Sequence, residues 1–305
     1  MNQIPSTMYF FWYSILWLAS RIPFFVLYPA SSGLAFLLHR VLRYRKNVVM
    51  ENLAIAFPEK CVEERKGIAG QFYLNLTDTF IESIKMISMS KSGFLRRCET
   101  DFSTINELVR KGKSIQLMAG HQMNWEYANW IIALNVQTSF IGIYQPIGNK
   151  SIDRIFYTMR ERFGTRLIST RAFKTKAHSL FDQQYAIGLA ADQNTNPDKG
   201  VWQYFFTKPA PFIGGPEKNA IRKNTAVVFV YIRKISRGKY RLVTEYAIED
   251  AAHTQPGELT RLYRSTLEKI IREEPHNYLW SHRRWRHEYR PQYMERWIDE
   301  RNPPA

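Results

Sequence analysis

His121 and Glu126 form the residue pair whose types and spacing best suit catalysis in this sequence. Both lie in the stretch Gly-His-Gln-Met-Asn-Trp-Glu that follows the apolar run at residues 114–119 and precedes an apolar, helix-forming segment. A carboxylate five residues from a histidine can fix the tautomer of the ring, so that the free ring nitrogen takes a proton from a substrate hydroxyl. On spacing alone, a structural histidine with satisfied hydrogen bonds is the alternative.

Asp192 and Gln193 follow a second apolar run, at residues 185–191. In parallel sheets the carboxyl ends of strands lie at one edge, where ligands usually bind. Two such strand ends placed side by side would bring Asp192 close to His121. The alternative is that Asp192 caps the turn that follows the strand.

Arg160 and Arg162 come just before Gly164, a residue that commonly ends helices. Either guanidinium could hold a phosphate or a developing oxyanion. Alternatively, both could be solvated in the last helical turn, where positive charge is favoured by the helix dipole.

Alternating strands and helices would position these side chains. Apolar strand-like runs at 114–119, 138–144 and 185–191 alternate with helical patterns at 150–163 and 173–184. This order predicts an α/β fold with a largely parallel central sheet flanked by helices. Further expected elements are a long helix at 62–86, an aromatic and irregular stretch at 200–211, a β-hairpin at 225–246 and a final helix at 256–274.

Residues 8–38 are the most apolar part of the chain, with Arg21 and Pro23 interrupting the run. The pattern fits a single tilted membrane anchor or a pair of short helices lying in one leaflet, in preference to a buried soluble helix. A basic cluster follows, and such clusters stay on the cytoplasmic side and bind anionic headgroups unless they are merely a solvated helix end. We therefore divide the chain into a membrane-anchoring segment at 1–46 and a catalytic domain at 47–305.

The composition narrows the possible functions. The 305 residues are 45% hydrophobic, which excludes a disordered chain, and the net charge of +16 indicates a polyanionic partner. Nucleic acid, an anionic membrane and an acidic protein all fit the charge, but 14% aromatic residues with 8 Trp favour lipid contact. Cys61 and Cys98 build no disulfide framework, which fits a reducing compartment.

Several enzyme classes lack their sequence signatures here. The sequence has no glycine-rich phosphate loop, no G-x-S-x-G elbow and no compact zinc-ligand set among its seven histidines. We therefore expect chemistry that needs no metal and no organic cofactor.

Four motifs in order resemble one known family. They are Gly120-His121-x4-Glu126, Arg160-x-Arg162-Phe163-Gly164, Ala191-Asp192-Gln193-Asn194 and Tyr278-Leu279-Trp280-Ser281-His282-Arg283-Arg284. The set resembles the bacterial lipid A biosynthesis acyltransferases, and specifically the late, lauroyl- and myristoyltransferase-like members. The resemblance extends over nearly the whole chain, including the apolar N-terminus.

The resemblance implies a glycerol-phosphate-acyltransferase-like fold at the cytoplasmic face of the cell inner membrane. It implies transfer of a fatty acyl chain from acyl-carrier protein or acyl-CoA to a hydroxyl of a lipid A precursor, without nucleic acid or cofactor. His121 would be the general base and Glu126 its partner. One of Arg160 and Arg162 would contact the substrate or oxyanion, with Asp192 and Gln193 as further substrate-binding residues.

One departure leaves the acceptor open. The loop Asn-Thr-Asn-Pro-Asp-Lys-Gly at 194–200 differs from the acidic D-Q-D-Y-G form typical of lipid A enzymes. An aminolipid, another glycolipid or a glycerophospholipid is therefore the alternative acceptor. A non-enzymatic, membrane-tethered polyanion binder is a further alternative, but it has no need of the His121 and Glu126 pair.

Overall fold

The computed structural model describes residues 6–176 and 181–304 and places a seven-stranded sheet at the centre of the protein. The strand order is β1-β9-β8-β2-β5-β3-β4, and all neighbouring strands pair in parallel except β8 with β9. The strands of this sheet are β1 (Cys98–Thr100), β2 (Ile115–Ala119), β3 (Ser139–Tyr144), β4 (Arg166–Ser169), β5 (Tyr185–Ala190), β8 (Ala226–Ser236) and β9 (Lys239–Ile248). The predicted α/β fold with a mostly parallel sheet is confirmed.

Helices cover both faces of the sheet. The described helices are α1 (Ser6–Arg21), α2 (Phe24–Phe36), α3 (Lys46–Ala56), α4 (Val62–Met86), α5 (Lys91–Leu95), α6 (Ser103–Arg110), α7 (Trp125–Asn135), α8 (Lys150–Glu161), α9 (Thr170–Lys176), α10 (Gly215–Lys223) and α11 (Glu258–Glu273). One apolar core includes Phe72 on α4 and Leu267 on α11, and a second includes Trp130 on α7 and Ile105 on α6. The central strands are buried by these two helical layers, which explains their continuous apolar sequences.

The long helix α4 has the bounds that the sequence predicts. Its first turn is closed by Glu64, whose carboxylate accepts a hydrogen bond from the backbone N–H of Cys61 at 2.8 Å. This reciprocal cap satisfies N–H groups that would otherwise lack a partner at the helix start. The expected helix at 173–184 is represented by α9, which ends at Lys176, while residues 177–180 lie outside the described residues.

The aromatic stretch near residue 200 forms a second, two-stranded antiparallel sheet, and the expectation of an irregular loop was wrong. Its strands are β6 (Val201–Phe205) and β7 (Lys208–Phe212). Phe206 makes the turn in the left-handed region, with φ of 57°. Pro209 and Pro211 obscured the pattern in the sequence, because proline is tolerated only in strands that lack neighbours on one side.

The N-terminal segment consists of two helices rather than one. It breaks at Ile22 and Pro23, and after α2 a π-helix continues to Val41. One candidate membrane span, Phe24–Val41, is long and apolar enough by length and composition. However, α2 is also bound to the domain, because Ser31 Oγ donates to buried Asp78 at 2.7 Å and Arg237 Nη2 donates to the Tyr28 carbonyl at 3.0 Å.

Candidate active site

The central feature of the site is a histidine–aspartate pair at the carboxyl edge of the sheet. Strands β2 and β5 are neighbours, with Ala119 opposite Ala190, so the residues two positions further on also meet. Asp192 Oδ1 lies 2.6 Å from His121 Nδ1, and Asp192 Oδ2 accepts from the His121 backbone N–H at 2.9 Å. The side chain of Asp192 is only 1% exposed and that of His121 is 26% exposed, so the ring is held from the buried side.

The two groups shift each other's ionisation. Burial by itself lowers the pKa of His121, but the charge and hydrogen bond of Asp192 outweigh it and raise the pKa above 6.5. Burial also tends to raise the pKa of Asp192, yet the charge and hydrogen bonds of His121 hold that pKa at about 2. Asp192 is therefore a permanent carboxylate that favours proton uptake by His121.

Glu126 does not fill the position expected of it beside His121. Its carboxylate instead binds Arg160, with Arg160 Nε 2.9 Å from Oε2 and Arg160 Nη2 2.6 Å from Oε1. Trp125 Nε1 donates a further hydrogen bond to Oε1 at 3.2 Å. The contact predicted between His121 and Glu126 is thus replaced by Asp192 on one side and Arg160 on the other. The physical reason is that α7 begins at Trp125, so that Glu126 already points from the first helical turn towards α8.

The two arginines of the Arg160 motif lie in different surroundings. Arg160 borders a groove above the sheet together with His121. Arg162 points away from it, since its Nη1 donates to the Met89 carbonyl at 2.9 Å and its guanidinium packs on the Trp130 ring. Two residues along a helix are separated by about 200°, which explains the divergence. Of the two arginines, Arg160 lines the groove and Arg162 does not, and the binding of substrate by either stays a prediction.

The groove runs from His121 between α7 and the sheet and has a volume of about 410 Å³. Its walls are mostly apolar, and Gln193 is one of the polar residues that line it. Gly142 and Gly188 face each other on β3 and β5 and form part of its floor. A Cβ at Gly188 would come within 3.3 Å of Phe140, so larger side chains would narrow the groove. The apolar lining includes Leu117, Ala128, Ile132, Phe140, Val230, Ile232 and Leu242.

Two buried N–H donors, on residues that line this groove, have no partner among the residues that the structure describes. They are Arg160 Nη1 and Gln122 Nε2. A buried donor without a hydrogen bond is costly, and such groups commonly find their partner in a ligand. The site therefore combines a histidine, an apolar groove and two buried donors that have no partner within the described residues.

The chain is similar in sequence to a family of known proteins. The sequence model of the family described as Bacterial lipid A biosynthesis acyltransferase matches residues 2–287. The chain belongs to this family. It is 24% identical over 276 residues to the Lipid A biosynthesis lauroyltransferase of Escherichia coli (strain K12), covering 89% of each chain. It is 20% identical over 275 residues to the Lipid A biosynthesis palmitoleoyltransferase of the same strain and to the Lipid A biosynthesis acyltransferase of Shigella flexneri, again covering 89% of each. The protein is thus a transferase, as the resemblance predicted.

A C-terminal strap, residues 277–285, completes the site of this acyltransferase-family chain. Its Leu279 N–H donates to the His121 carbonyl at 3.1 Å, and its Asn277 carbonyl accepts from the Met123 N–H at 3.0 Å. Asn52 Nδ2 on α3 donates to the Trp280 and His282 carbonyls, at 2.7 Å each, and holds the strap from behind. The backbone from His121 to Met123 is thereby fixed.

Arg284 is the site residue that the sequence did not single out. Its guanidinium is fully buried against the faces of Phe205 and Phe212, at 5.3 and 4.3 Å from the ring centroids. Burial lowers the pKa of Arg284, and the nearby charge of Asp192 counteracts that shift. The signal was the position of Arg284 within the Tyr278–Arg284 motif, although the sequence could not separate it from the neighbouring surface arginines.

No group of three or more His, Cys, Asp or Glu side chains within residues 6–176 and 181–304 could hold a metal ion. His121, Asp192 and the groove have the residue types that suit acid–base and electrostatic chemistry.

Proposed function

We propose that this protein transfers a fatty acyl chain from a thioester, on acyl-carrier protein or coenzyme A, to a hydroxyl of a lipid A precursor. The observation that carries the proposal is the His121–Asp192 pair at the mouth of an apolar groove. A non-enzymatic, membrane-tethered binder of polyanions has no use for a buried carboxylate that is dedicated to orienting one imidazole.

The proton transfers follow from which ring nitrogen is free. Asp192 accepts the hydrogen bond from His121 Nδ1, so Nε2 carries the lone pair that accepts the proton of the acceptor hydroxyl. The hydroxyl oxygen attacks the thioester carbonyl carbon and gives a tetrahedral oxyanion. When this collapses, the C–S bond breaks and the imidazolium returns its proton to the leaving thiolate. The products are an ester and a free thiol.

The oxyanion needs preorganised donors, and we assign this role to Arg160 Nη1 and Gln122 Nε2, which belong to groove-lining residues and lack a partner within the described part of the chain. Removing one donor of this kind typically costs about 10²–10³ in kcat. In this scheme Glu126 acts through Arg160, because its bidentate ion pair holds the guanidinium in place. Glu126 is then a positioning residue and not the partner of the base.

The groove accounts for the donor's acyl chain. An extended hydrocarbon requires an apolar channel next to the reacting carbonyl, and the groove begins at His121 and continues along Leu117, Ile132 and Val230. Burial of each methylene contributes about 0.8 kcal/mol, so a long chain gains substantial binding energy there.

The N-terminal helices support attachment to a membrane. Only 17% of the window Phe24–Val41 is buried, and α1 and α2 expose large apolar side chains that include Phe10, Phe11, Leu18, Phe25 and Phe36. Because Tyr28 and Ser31 of α2 are hydrogen-bonded to α4, we infer that both helices lie in the interface rather than span the bilayer. The basic residues after Val41 favour the cytoplasmic face of the inner membrane.

The test is reconstitution of the full-length protein in vesicles with a lipid A precursor and acyl-carrier protein charged with a fatty acid. Mass spectrometry should detect one added acyl ester, and His121→Ala should lower its rate about 10²–10⁴-fold while leaving the protein folded and bound to vesicles. Turnover at the normal rate in the His121→Ala protein would overturn the proposed chemistry.

The acceptor is tested separately in a deletion strain. Loss of the gene should reduce the number of acyl chains on lipid A, as measured by mass spectrometry of extracted lipids. An unchanged lipid A together with a changed aminolipid, glycolipid or glycerophospholipid would move the acceptor to that class and leave the catalytic scheme intact.

A further inference from the structure

A basic pocket lies beside the His121–Asp192 pair and has no role in the scheme above. It is lined by Arg43, Arg45, Lys46, Arg283, Arg286 and His282 and has a volume of about 860 Å³. None of the described residues that line it is acidic. A concave surface with this concentration of positive charge attracts an anion and not a neutral molecule.

The pocket is assembled from two distant parts of the chain. Arg43 and Arg45 come from the loop between the N-terminal helices and α3, whereas Arg283 and Arg286 come from the C-terminal strap and the residue after it. Arg45 joins the two parts, because its Nη1 donates to the Ser281 carbonyl at 3.0 Å. The positive charges are therefore brought together by the fold and do not form a simple basic run.

The loop holds its arginines in an unfavourable backbone conformation. Arg43 has φ of 50° and Arg45 has φ of 49°, and the left-handed region is disfavoured for residues with a Cβ. Strain of this kind is found mostly at functional sites, where the surrounding structure maintains it. Arg43, Arg283 and Arg286 are exposed and form no ion pair with any acidic residue in the described ranges, so their charges are available.

The start of α3 adds to the positive potential of the pocket. Its cap residue Arg45 offers no side-chain hydrogen bond, and Asn47 and Val48 from the first turn line the pocket. Helix N-termini favour anions, and arginine forks match the oxygen geometry of phosphate.

His282 connects the pocket to the segment that carries Asp192. His282 Nε2 accepts from the backbone N–H of Asn194 at 3.1 Å, two residues after Asp192. Burial and the charge of Arg284 lower the pKa of His282 to about 4, so this imidazole is neutral near pH 7.

The position of the pocket relative to the apolar helices points to a lipid. Val41 and Leu42 are exposed and directly precede Arg43, so the pocket begins where the apolar surface ends. Lipid headgroups occupy this level of a membrane. The volume exceeds the need of a lone phosphate ion and accommodates a phosphorylated sugar.

We propose that the basic pocket binds a phosphate monoester on the headgroup of the acceptor lipid and thereby sets which hydroxyl reaches His121. This inference rests on the proposed acyl transfer, because only that reaction makes the bound lipid an acceptor. Binding of the phosphate monoester to the pocket does not itself require catalysis. The cluster of cations without a carboxylate favours a dianionic monoester over a singly charged diester.

Binding is measured with full-length protein carrying His121→Ala, which removes turnover. The probes are phosphatidylcholine vesicles containing phosphatidic acid, a monoester, or phosphatidylglycerol, a diester. Adding Arg283→Ala and Arg286→Ala should weaken binding to the phosphatidic acid vesicles roughly fivefold for each arginine, and inorganic phosphate should compete. Binding to the phosphatidylglycerol vesicles should change much less.

The matched control removes two exposed arginines elsewhere, with Arg110→Ala and Arg222→Ala. These changes lower the net charge equally and should leave binding within about twofold, because they lie outside the pocket. An equal loss in control and pocket variants, or equal losses for both vesicle types, would show general electrostatic attraction and overturn the proposal.

A kinetic measurement then addresses the acceptor itself. Treating the acceptor with a phosphatase should raise the KM of the wild-type enzyme, while the KM of the Arg283→Ala/Arg286→Ala enzyme should already be raised and should not rise further. A wild-type KM that is the same for the treated and the untreated acceptor would contradict the proposal. If wild-type protein transfers acyl chains to no lipid, the proposed function fails, and the vesicle measurement alone decides whether the pocket binds a monoester.

Discussion

At the scale of single residues, the chemistry open to the site depends on the different surroundings of the two ring nitrogens of His121. Nδ1 is committed to Asp192, and the partly exposed face of the ring borders the groove. Because Asp192 stays ionised down to a pH of about 2, its influence on the imidazole is constant over any pH at which the protein is assayed. In the proposed mechanism, the protonation of His121 therefore sets the low-pH limit of activity.

The first prediction concerns this limit. A base must be neutral, so kcat/KM should fall as pH drops through the raised pKa of His121, with its midpoint above 6.5. Asp192→Asn removes the charge that raises this pKa and leaves burial, which lowers it. The midpoint should therefore move below 6.5, while kcat at its plateau drops about 10²–10⁴-fold because the tautomer is no longer fixed. A pH profile of both proteins measures the shift, and a midpoint that stays in place would exclude Asp192 as the partner of the base.

The second prediction separates Glu126 from Asp192. Glu126→Gln frees the Arg160 guanidinium from its ion pair and should lower kcat about 10–100-fold. The midpoint of the pH profile should not move, since Glu126 touches Arg160 and not His121. Glu126→Asp, which keeps the charge, is the matched control and should recover part of the rate. A shifted midpoint in Glu126→Gln would instead support the pairing that the sequence suggested.

The spacing of His121 and Glu126 identified the correct segment but the wrong contact. The sequence places Glu126 five residues away and Asp192 seventy-one residues away, and only the strand register decides which carboxylate reaches Nδ1. Adjacent strand ends made the meeting of His121 and Asp192 a reasonable expectation. That Glu126 would turn towards Arg160 could not be foreseen, because it depends on where α7 begins and how α8 packs against it.

At the scale of elements, the start of α7 is the junction that aims Glu126. Asn124 caps this helix from the left-handed region, with φ of 66°, and its side chain accepts from the Tyr127 N–H. Its Nδ2 also donates to buried Glu82 on α4, which is further bound by the Tyr240 hydroxyl at 2.7 Å. Burial raises the pKa of Glu82 to about 7, a sign of how far this network lies from water.

The third prediction tests this junction with two substitutions. Asn124→Ala loses the cap and the bond to Glu82 and also keeps a Cβ in the left-handed region, so it should lower the free energy of unfolding by about 2–4 kcal/mol. Asn124→Gly loses the same hydrogen bonds without the steric cost and should be about 1 kcal/mol more stable than the alanine protein. Denaturant unfolding measures both. An alanine protein as stable as the glycine protein would show that the backbone conformation is unimportant here.

Strands and long helices were predictable where their apolar patterns were uninterrupted. The bounds of α4 and the cores of β2, β3 and β5 follow directly from such runs. The β6–β7 hairpin could not be predicted in this way, because β7 contains Pro209 and Pro211. Proline is unusual in strands and is tolerated here because β7 pairs with a neighbouring strand on one side only. Local sequence also could not show that the strap at 277–285 crosses beside His121, since that contact is fixed by packing on α3.

At the scale of the whole molecule, the exposed apolar surface of the N-terminal helices adjoins a positively charged loop. The two helices expose their aromatic residues, and the basic loop follows at once. For a surface of this kind, burial of apolar area and attraction to anionic lipids both contribute to the free energy of binding to a bilayer. Attachment should therefore weaken but not vanish at high salt.

The fourth prediction tests the apolar contribution. Phe25 is 77% exposed on α2, and Phe25→Asp should reduce partitioning into phosphatidylglycerol-containing vesicles at least about tenfold, given the free energy of burying one such ring. The control is Met294→Asp, at an exposed apolar residue of the C-terminal tail, which should change partitioning much less. Sedimentation with vesicles measures both proteins. Equal losses would indicate that α2 does not face the bilayer.

The strap at residues 277–285 also has a consequence for the timing of synthesis. A ribosome makes α1 and α2 first and His121 well before Leu279, whose N–H is bonded to the His121 carbonyl. Under the proposed function, α1 and α2 could therefore reach the membrane before the strap reaches His121. Activity would then begin only after the strap has folded against His121, when the protein is already at the lipid surface.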